Sequence, residues 1–134
     1  MVVMRYLVDT NIISELLKIN PNKGVSSCAS QISECAISVI TVEEIYYGLT
    51  WKPNNRVLAF IEDFINEFTE VLPISGFTAK KAGSLRGHMQ SKGIVRTQAD
   101  MLIAATAAEF GLTLVTRNIR DFDSCGVALL DPFK

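Results

Sequence analysis

Cysteine and histidine are scarce in this sequence, and their scarcity excludes two kinds of protein. The chain of 134 residues contains three cysteines and a single histidine, His88. Cys28, Cys35 and Cys125 form no C-x-x-C pair and are odd in number, so neither a disulfide framework nor a zinc site is expected. We predict reduced, mostly buried thiols. Any metal ion bound here would need oxygen ligands.

Long apolar runs and a strong net charge are also lacking. No apolar stretch approaches the roughly 20 residues that a membrane-spanning helix needs. The opening segment MVVMRYLVDTN is interrupted by Arg5 and Asp9, which argues against an export signal. The sequence therefore predicts a soluble, cytoplasmic protein without membrane contacts. Its formal net charge of −1 gives no bulk attraction to nucleic acid.

The residues that are present favour a single α/β domain spanning residues 1–134. Hydrophobic residues make up 49% of the chain and charged residues 20%, which excludes disorder and suits a sheet covered on both faces. The apolar pattern predicts helices at about 12–17, 24–32, 41–48, 57–68, 78–90 and 98–110, with Gly48 and Gly111 ending two of them. It predicts strands at 5–8, 35–40, 71–74, 112–116 and 127–130, and Pro73 puts the third at a sheet edge. This alternation implies a three-layer α/β/α domain with a mainly parallel central sheet.

Carboxylates and amides follow several of the predicted strands. Asp9 comes directly after the first strand, Glu44 and Asp100 lie in the first turns of helices, and Asn118 and Asp121 follow the strand at 112–116. The ligand site of an open parallel sheet lies beyond the carboxyl ends of its strands. We therefore expect these side chains to gather at one edge of the sheet.

Each of these residues also has a purely structural explanation. Asp9 suits the N-cap of the following helix. The segments 41–44 and 97–100 both have the spacing of a capping box, and ordinary loop chemistry accounts for the polar residues after 116. Capping explains Asp100 least well, because TQADMLIAATA is otherwise almost wholly apolar. A carboxylate at the rim of a buried helix needs a further partner.

A cluster of these acids requires positive charge to hold it together. Carboxylates 4 Å apart repel by roughly 1 kcal/mol per pair in water, and by more in a partly dry cleft. Hard divalent cations take carboxylate and water ligands, and Mg²⁺ commonly completes its shell with a substrate phosphate. Such ions can generate a hydroxide and clamp a phosphodiester for in-line attack. The acids therefore predict a hard-metal site and a phosphate-type substrate.

Basic residues fill the stretch between Glu70 and Asp100, which contains no acid. A solvated helix face explains most of them. Arg86 and Arg96 are candidates to guide a backbone phosphate toward the acids, and Arg117, beside the last acidic position, is a candidate for the same role. The full basic set is Lys80, Lys81, Arg86, Lys92 and Arg96.

Four blocks of sequence carry a resemblance to a known family. They are YLVDTNIISEL (6–16), SVITVEEIYYG (38–48), TQADMLIAATAAEFGLTLVTRN (97–118) and IRDFD (119–123). In this order and spacing they resemble the PIN domain, and in particular the VapC-like ribonuclease toxins of bacterial toxin–antitoxin pairs. The resemblance implies that Asp9, Glu44 and Asp100 are catalytic acids, that Asp9 and Asp100 also bind metal, and that Glu43 is a solvent-side neighbour.

The same resemblance assigns the remaining site positions. It places Asp121 at the family's last acidic position, as a catalytic acid and metal ligand. Asn118 occupies a place that is acidic in some relatives, so either residue is a candidate for the last metal ligand. Thr116 and Asn11 are expected to be supporting polar residues of the site.

The activity of the family sets the functional expectation. Its members cleave RNA with Mg²⁺ or Mn²⁺, commonly as homodimers, and are inhibited by a cognate antitoxin that also binds operator DNA. The chain is therefore expected to be a metal-dependent endoribonuclease with a VapB-like antitoxin, touching DNA only through that partner. One alternative stays open, namely a catalytically weak protein that acts chiefly as a binding partner in an antitoxin–DNA complex. A phosphoacceptor signalling domain is disfavoured, because its paired acids and strand-end lysine are lacking.

Overall fold

The computed structural model of the protein describes residues 5–31, 35–67 and 69–134. Within them, short strands form one sheet in the order β3-β2-β1-β4-β5, and every neighbouring pair is parallel. The strand order reverses between β1 and β4, which is where open parallel sheets hold their ligands. The strands are β1 (Tyr6–Val8), β2 (Cys35–Ser38), β3 (Thr69–Leu72), β4 (Thr113–Val115) and β5 (Leu129–Leu130).

Helices connect the strands, as the predicted alternation requires. No helix in the described ranges is both long and apolar enough to cross a membrane. The helices are α1 (Thr10–Leu16), α2 (Lys23–Gln31), α3 (Val39–Trp51), α4 (Asn55–Glu67), α5 (Gly76–Ser91), α6 (Gln98–Glu109) and α7 (Ile119–Phe122).

Alternate side chains of the central strands enter two separate hydrophobic clusters. Leu7 of β1 and Leu114 of β4 belong to one cluster, and Val8 and Val115 belong to the other. Because successive side chains of a strand point to opposite faces, the clusters lie on opposite sides of the sheet. The first contains buried residues of α5, α6 and α7, and the second contains buried residues of α1 to α4. The predicted three-layer α/β/α architecture with a parallel central sheet is confirmed.

The junction between β2 and α3 differs from the prediction. The strand was expected to reach residue 40, but its pairing with β3 ends where Ser38 faces Leu72. The Ser38 hydroxyl then accepts a hydrogen bond from the Ile40 amide (3.0 Å), so α3 begins at Val39. A side-chain oxygen that satisfies an early helical amide is a strong start signal. The helix therefore begins two residues before the predicted position.

The predicted end of this helix at Gly48 is wrong. α3 continues to Trp51. Glycine inside a helix costs about 1 kcal/mol relative to alanine. Ile45 and Leu49 pack into the cluster on this face of the sheet, and their burial on both sides of the glycine offsets that cost.

Several further boundaries were predicted only in part. The strand at the β3 edge of the sheet begins at Thr69 and ends at Leu72, before Pro73, so its edge position is confirmed and its range is shifted. The segment RNIRDFD, expected to be a loop, contains the short helix α7, which buries Phe122. The ends of two predicted helices, at residues 32 and 68, lie outside the described residues. Of the cysteines, only Cys125 is buried, and the other two are half-buried.

The packing predicts unequal roles for two leucines on adjacent strands. Leu114 of β4 is fully buried, whereas Leu130 of β5 is 38% exposed. We expect Leu114→Ala to lower the free energy of unfolding by about 2–5 kcal/mol, as buried leucine truncations do. Urea unfolding followed by circular dichroism measures this loss. Leu130→Ala is the matched control and should cost much less; equal losses would contradict the described core.

Candidate active site at the carboxyl end of the sheet

The centre of the site is a buried contact between the ends of β1 and β4. Val8 and Val115 are register partners, and the Asp9 amide donates to the Val115 carbonyl (2.9 Å). The next residues, Asp9 and Thr116, therefore meet. The Thr116 hydroxyl donates to Oδ2 of Asp9 (2.8 Å), and both residues are buried. The sheet register thus fixes the position of the Asp9 carboxylate.

Asn11 and Thr10 complete the surroundings of this carboxylate. The side-chain nitrogen Nδ2 of Asn11 donates to Asp9 Oδ2 (3.1 Å) and lies 3.3 Å from the Thr116 hydroxyl oxygen. The other oxygen of Asp9 accepts from the Thr10 amide (2.8 Å), which makes Asp9 the N-cap of α1. The capping prediction is therefore confirmed. Capping uses one oxygen and leaves the second in the contact with Thr116 and Asn11.

Glu44 lies opposite the start of α1. Its Oε1 accepts a hydrogen bond from the Thr10 hydroxyl (2.8 Å). The predicted capping box over 41–44 is wrong, because α3 begins earlier and Thr41 is buried inside the helix. Glu43 is exposed, as expected for the neighbour on the solvent side. Glu44 thus serves no cap and points to the residue next to Asp9.

Asp100 stands in the first turn of α6. The Thr97 hydroxyl accepts from the Asp100 amide (3.1 Å), so Thr97 is the N-cap, as predicted. The helix behind it is packed on most sides, as the apolar segment predicted. Asp100 is half-buried and lines the cleft that contains Asp9 and Glu44. The buried residues of α6 are Met101, Ile103, Ala104, Ala105, Thr106 and Ala107.

These side chains border one open cleft with a volume of about 370 Å³. Its wall is mainly polar, and acids and bases both contribute. The lining residues are Asp9, Thr10, Asn11, Ser14, Glu15, Lys18, Glu44, Asp100, Arg117, Asn118 and Phe133.

Burial and neighbouring acids raise the pKa values of two aspartates of the cleft. Burial raises the pKa of Asp9, the Thr116, Thr10 and Asn11 hydrogen bonds lower it in part, and the charge of Asp121 raises it further. Burial likewise raises the pKa of Asp100; a hydrogen bond from Thr97 lowers it, and the charges of Asp9, Asp121 and Glu44 raise it. The cleft therefore concentrates negative charge around the two aspartates.

The last two predicted ligands are placed differently from each other. Asn118 lines the cleft, and its backbone amide donates to the Thr116 hydroxyl (3.0 Å). Asp121 lies on α7, is exposed and does not line the cleft. Its charge nevertheless reaches Asp9 and Asp100. Asn118 therefore contributes to the wall of the cleft, whereas Asp121 lies outside the wall and acts on both aspartates through its charge.

The arginines predicted to guide a phosphate separate into three cases. Arg117 lines the cleft. Arg96 donates to the backbone carbonyls of Arg120 and Asp123, so its guanidinium joins the start of α6 to α7 instead of facing the cleft. Arg86 is exposed on α5 and does not line the cleft. Of these three arginines only Arg117 lines the cleft, and a phosphate-guiding role of Arg86 and Arg96 stays a prediction.

Several cleft residues had no role in the sequence-based prediction. Thr10, Ser14 and Lys18 follow one another at four-residue spacing after Asp9, so a helical reading of that segment could have placed them on one face. Phe133 carries no such signal, because its position depends on contacts with remote parts of the chain.

The donor atoms of the cleft suit a hard cation. In the described part of the chain, no three or more Asp, Glu, His or Cys side chains form a group that could hold a metal ion by themselves. Mg²⁺ does not require one, since it is often held by one or two carboxylates, its own waters and substrate phosphates. Asp9 and Asp100 have carboxylate oxygens and Asn118 has an amide oxygen, and all three residues line the cleft. These residues fit such an ion.

The fold and cleft define an α/β protein with an acidic ligand site beyond the carboxyl ends of parallel strands. The family model of the PIN domain matches residues 6–126, and the chain belongs to the PIN-domain family. It is 32% identical over 121 residues to ribonuclease VapC2 of Haemophilus influenzae, which covers 90% of this chain and 91% of that protein.

Solved structures of similar proteins agree in fold. One is DNA-bound VapBC from Salmonella typhimurium, with a TM-score of 0.84 and 29% identity over 97% of this chain and 99% of that chain. Another is VapBC2 from Rickettsia felis bound to a DNA fragment from its promoter, with a TM-score of 0.83 and 26% identity over 95% and 98% of the two chains.

Removing the charge of Asp100 should stabilise the metal-free protein. The pKa of Asp100 in the folded protein is raised above its usual value of 3.8. This carboxyl therefore stabilises the fold when the pH is below its pKa in the unfolded chain. That contribution is lost as the pH rises through the folded-state pKa. We expect Asp100→Asn to raise the free energy of unfolding at neutral pH by about 0.5–2 kcal/mol.

Urea titrations in EDTA, repeated at several pH values, measure this difference. It should shrink as the pH falls toward about 4. Glu62→Gln, on an exposed position of α4, is the matched charge-removal control and should show little change. A less stable Asp100→Asn protein at neutral pH would show that the charge of the Asp100 carboxylate does not destabilise the fold.

Proposed function

We propose that this chain is a metal-dependent endoribonuclease and the toxin of a VapBC-type toxin–antitoxin module. The observation that carries the proposal is the cleft that Asp9, Glu44 and Asp100 line together, where neighbouring acids raise the pKa of Asp100. A protein maintains such repulsion at a cost in stability, and a divalent cation with a phosphate substrate gives it a use. The similarity to ribonuclease VapC2 supports RNA as the substrate.

The cleft residues divide into metal ligands and a group that acts on water. Asp9 and Asp100 would hold Mg²⁺ or Mn²⁺, with Asn118 or Asp121 as the further ligand. When bound, such an ion would supply Lewis-acid chemistry, making a water more acidic and offsetting negative charge on the phosphodiester. Glu44 positions the attacking water and accepts its proton.

Thr116 and Asn11 act on the reaction through Asp9. Their hydrogen bonds fix the Asp9 carboxylate and lower its pKa, which favours the ionised form that a metal ion requires. Asp121, exposed on α7, adds negative charge at the rim of the cleft. Arg117 is the arginine available to a backbone phosphate.

Neighbouring glutamates provide the test of this mechanism. We expect Glu44→Gln and Asp100→Asn each to lower the rate of RNA cleavage by about 10²–10⁴, since each removes a group that acts on water or metal. Cleavage of a labelled RNA is followed with Mg²⁺ and with EDTA. Glu43→Gln removes the same charge from the exposed neighbour and should cleave at the parent rate. Undiminished cleavage by Asp100→Asn would overturn the mechanism.

The alternative function is binding without significant catalysis. In that case the acids of the cleft would hold a basic side chain of an antitoxin. Calorimetric titration with Mg²⁺, together with growth arrest on expression of the free chain, separates the two functions. Metal uptake and arrest support the nuclease, whereas neither would be seen for a binding protein.

A VapB-like antitoxin is the proposed partner, with DNA contacted only through it, and a homodimer is the proposed assembly. Support comes from the similar VapBC structures, which were solved bound to DNA. The molecule also has an exposed aromatic face on α3, lined by Tyr46, Tyr47 and Trp51 beside a cavity of about 490 Å³. Exposed apolar patches of this kind mark protein interaction sites. We assign this face to the antitoxin.

Trp51 is the residue with which to test that face, because its side chain is 69% exposed. Trp51→Ser should reduce co-purification of the antitoxin at least about tenfold, as loss of an aromatic hot spot does. RNA cleavage by the free chain should be unchanged, because the face lies outside the cleft. Retained antitoxin binding with a shift from dimer to monomer, measured by light scattering, would assign the face to the homodimer instead.

A further inference from the structure

One side of the cleft carries positive charge. Lys18 and Arg117 line it together with Glu15. The Lys18 ammonium is 2.8 Å from Glu15 Oε1, and the Lys18 side chain remains 63% exposed. Hydrogen bonds from Lys18 and the Asn22 amide lower the pKa of Glu15, and the charges of Lys18 and Arg117 lower it further. Lys18 is therefore ion-paired with Glu15, Arg117 acts on Glu15 only through its charge, and the three groups carry a formal charge of +1.

The Arg117 guanidinium is held over an aromatic ring. Its central carbon lies 4.5 Å from the centroid of Phe133, within the range of a cation–π contact. The backbone amide of Arg117 donates to Asn11 Oδ1 (3.1 Å), so the residue is also tied to the network around Asp9. Phe133 packs against the hydrophobic cluster on that side of the sheet. The guanidinium is therefore positioned from both its backbone and its side chain.

The segment that carries Phe133 packs closely against the backbone of Gly24. Pro132 is buried, and a Cβ at Gly24 would lie 2.1 Å from the Pro132 carbonyl oxygen. Only glycine allows that approach. The Phe133 amide donates to the Asp131 side chain (2.9 Å), which turns the chain so that the ring reaches Arg117.

A second set of contacts connects Gly24 to the positively charged side of the cleft. The Asn22 side-chain oxygen accepts from the Gly24 amide (2.8 Å), and the Asn22 amide donates to Glu15 Oε2 (2.9 Å). Glu15 in turn holds Lys18. Both cations are exposed, and each has a contact that orients it, Lys18 with Glu15 and Arg117 with Phe133.

We infer that Lys18 and Arg117 form a subsite for an RNA phosphate that neighbours the scissile phosphate on the same strand. Phe133 is a positioning residue that holds the Arg117 guanidinium. This inference rests on the proposed ribonuclease function. The two cations lie in the same cleft as Asp9 and Asp100, so a strand whose scissile phosphate is at the acids passes them. Arginine suits this role because its planar fork matches phosphate oxygens. The subsite also attracts a strand that the acids alone would repel.

Binding of RNA without cleavage tests the subsite directly. The full chain is titrated in EDTA with a short, fluorescein-labelled, single-stranded RNA of mixed sequence, at several salt concentrations. We expect Arg117→Ala and Lys18→Ala each to weaken binding by about tenfold. Each should also reduce the slope of log affinity against log salt by about 0.7, the value for one phosphate contact on a single strand. Lys80→Ala, an exposed cation of α5 that does not line the cleft, is the control and should change neither quantity.

Substitutions of Phe133 separate positioning from a merely structural role. Phe133→Leu keeps the apolar packing but removes the ring face, and should weaken RNA binding by about two- to fivefold. Phe133→Tyr keeps the face and should bind as the parent does. Because the ring acts through the arginine, Phe133→Leu combined with Arg117→Ala should bind no more weakly than Arg117→Ala alone. Additive losses would show that Phe133 is only structural.

Failure of the inference is distinguishable from failure of the proposed function. If the parent cleaves RNA with Mg²⁺ but Arg117→Ala and Lys18→Ala bind with parental affinity and salt slope, the subsite is wrong and the nuclease stands. The same holds if these variants lose only the antitoxin, since an acidic protein segment would then be the ligand. If the parent neither binds nor cleaves RNA, both proposals fail.

Discussion

The hydrogen bond from the Thr116 hydroxyl to the Asp9 carboxylate is the contact on which the rest of the site depends. It joins residues that are 107 positions apart in the chain and is buried. Its geometry follows from the sheet, because Val8 and Val115 are register partners and the next residue on each strand meets the other. Asn11 binds both groups. A shift of one residue in this pairing would move Asp9 out of the cleft.

This arrangement puts negative charge where the fold alone would avoid it. Asp9 is 5% exposed, and its burial, together with the charge of Asp121, raises its pKa. Burial and the charges of the neighbouring acids raise the pKa of Asp100. The surrounding structure resists the repulsion by rigidity. Asp100 projects from a helix whose next turns are almost wholly buried, so it cannot move away from Asp9 without disturbing the core. Stability and the proposed activity therefore make opposite demands on the same carboxylates.

The sequence predicted those features that depend on local pattern and on parallel-sheet geometry. The three layers, the gathering of acids after strands and the burial of α6 all follow from periodicity and from where strands end. Helix boundaries were harder, because Ser38 and Thr41 are both acceptable caps. The choice depends on where the pairing of β2 with β3 stops, which is a tertiary fact. Gly48 was misjudged for the same reason, since packing outweighed its low helix propensity.

The contacts that position Arg117 could not be predicted. The position of Phe133 depends on Pro132 meeting Gly24, and Arg117 depends on Phe133 and Asn11 together. No short spacing encodes these contacts. These contacts also explain how a chain of nearly zero net charge could bind RNA. Affinity for a strand requires cations only along its path, and the fold places Lys18 and Arg117 in the same cleft as the acids.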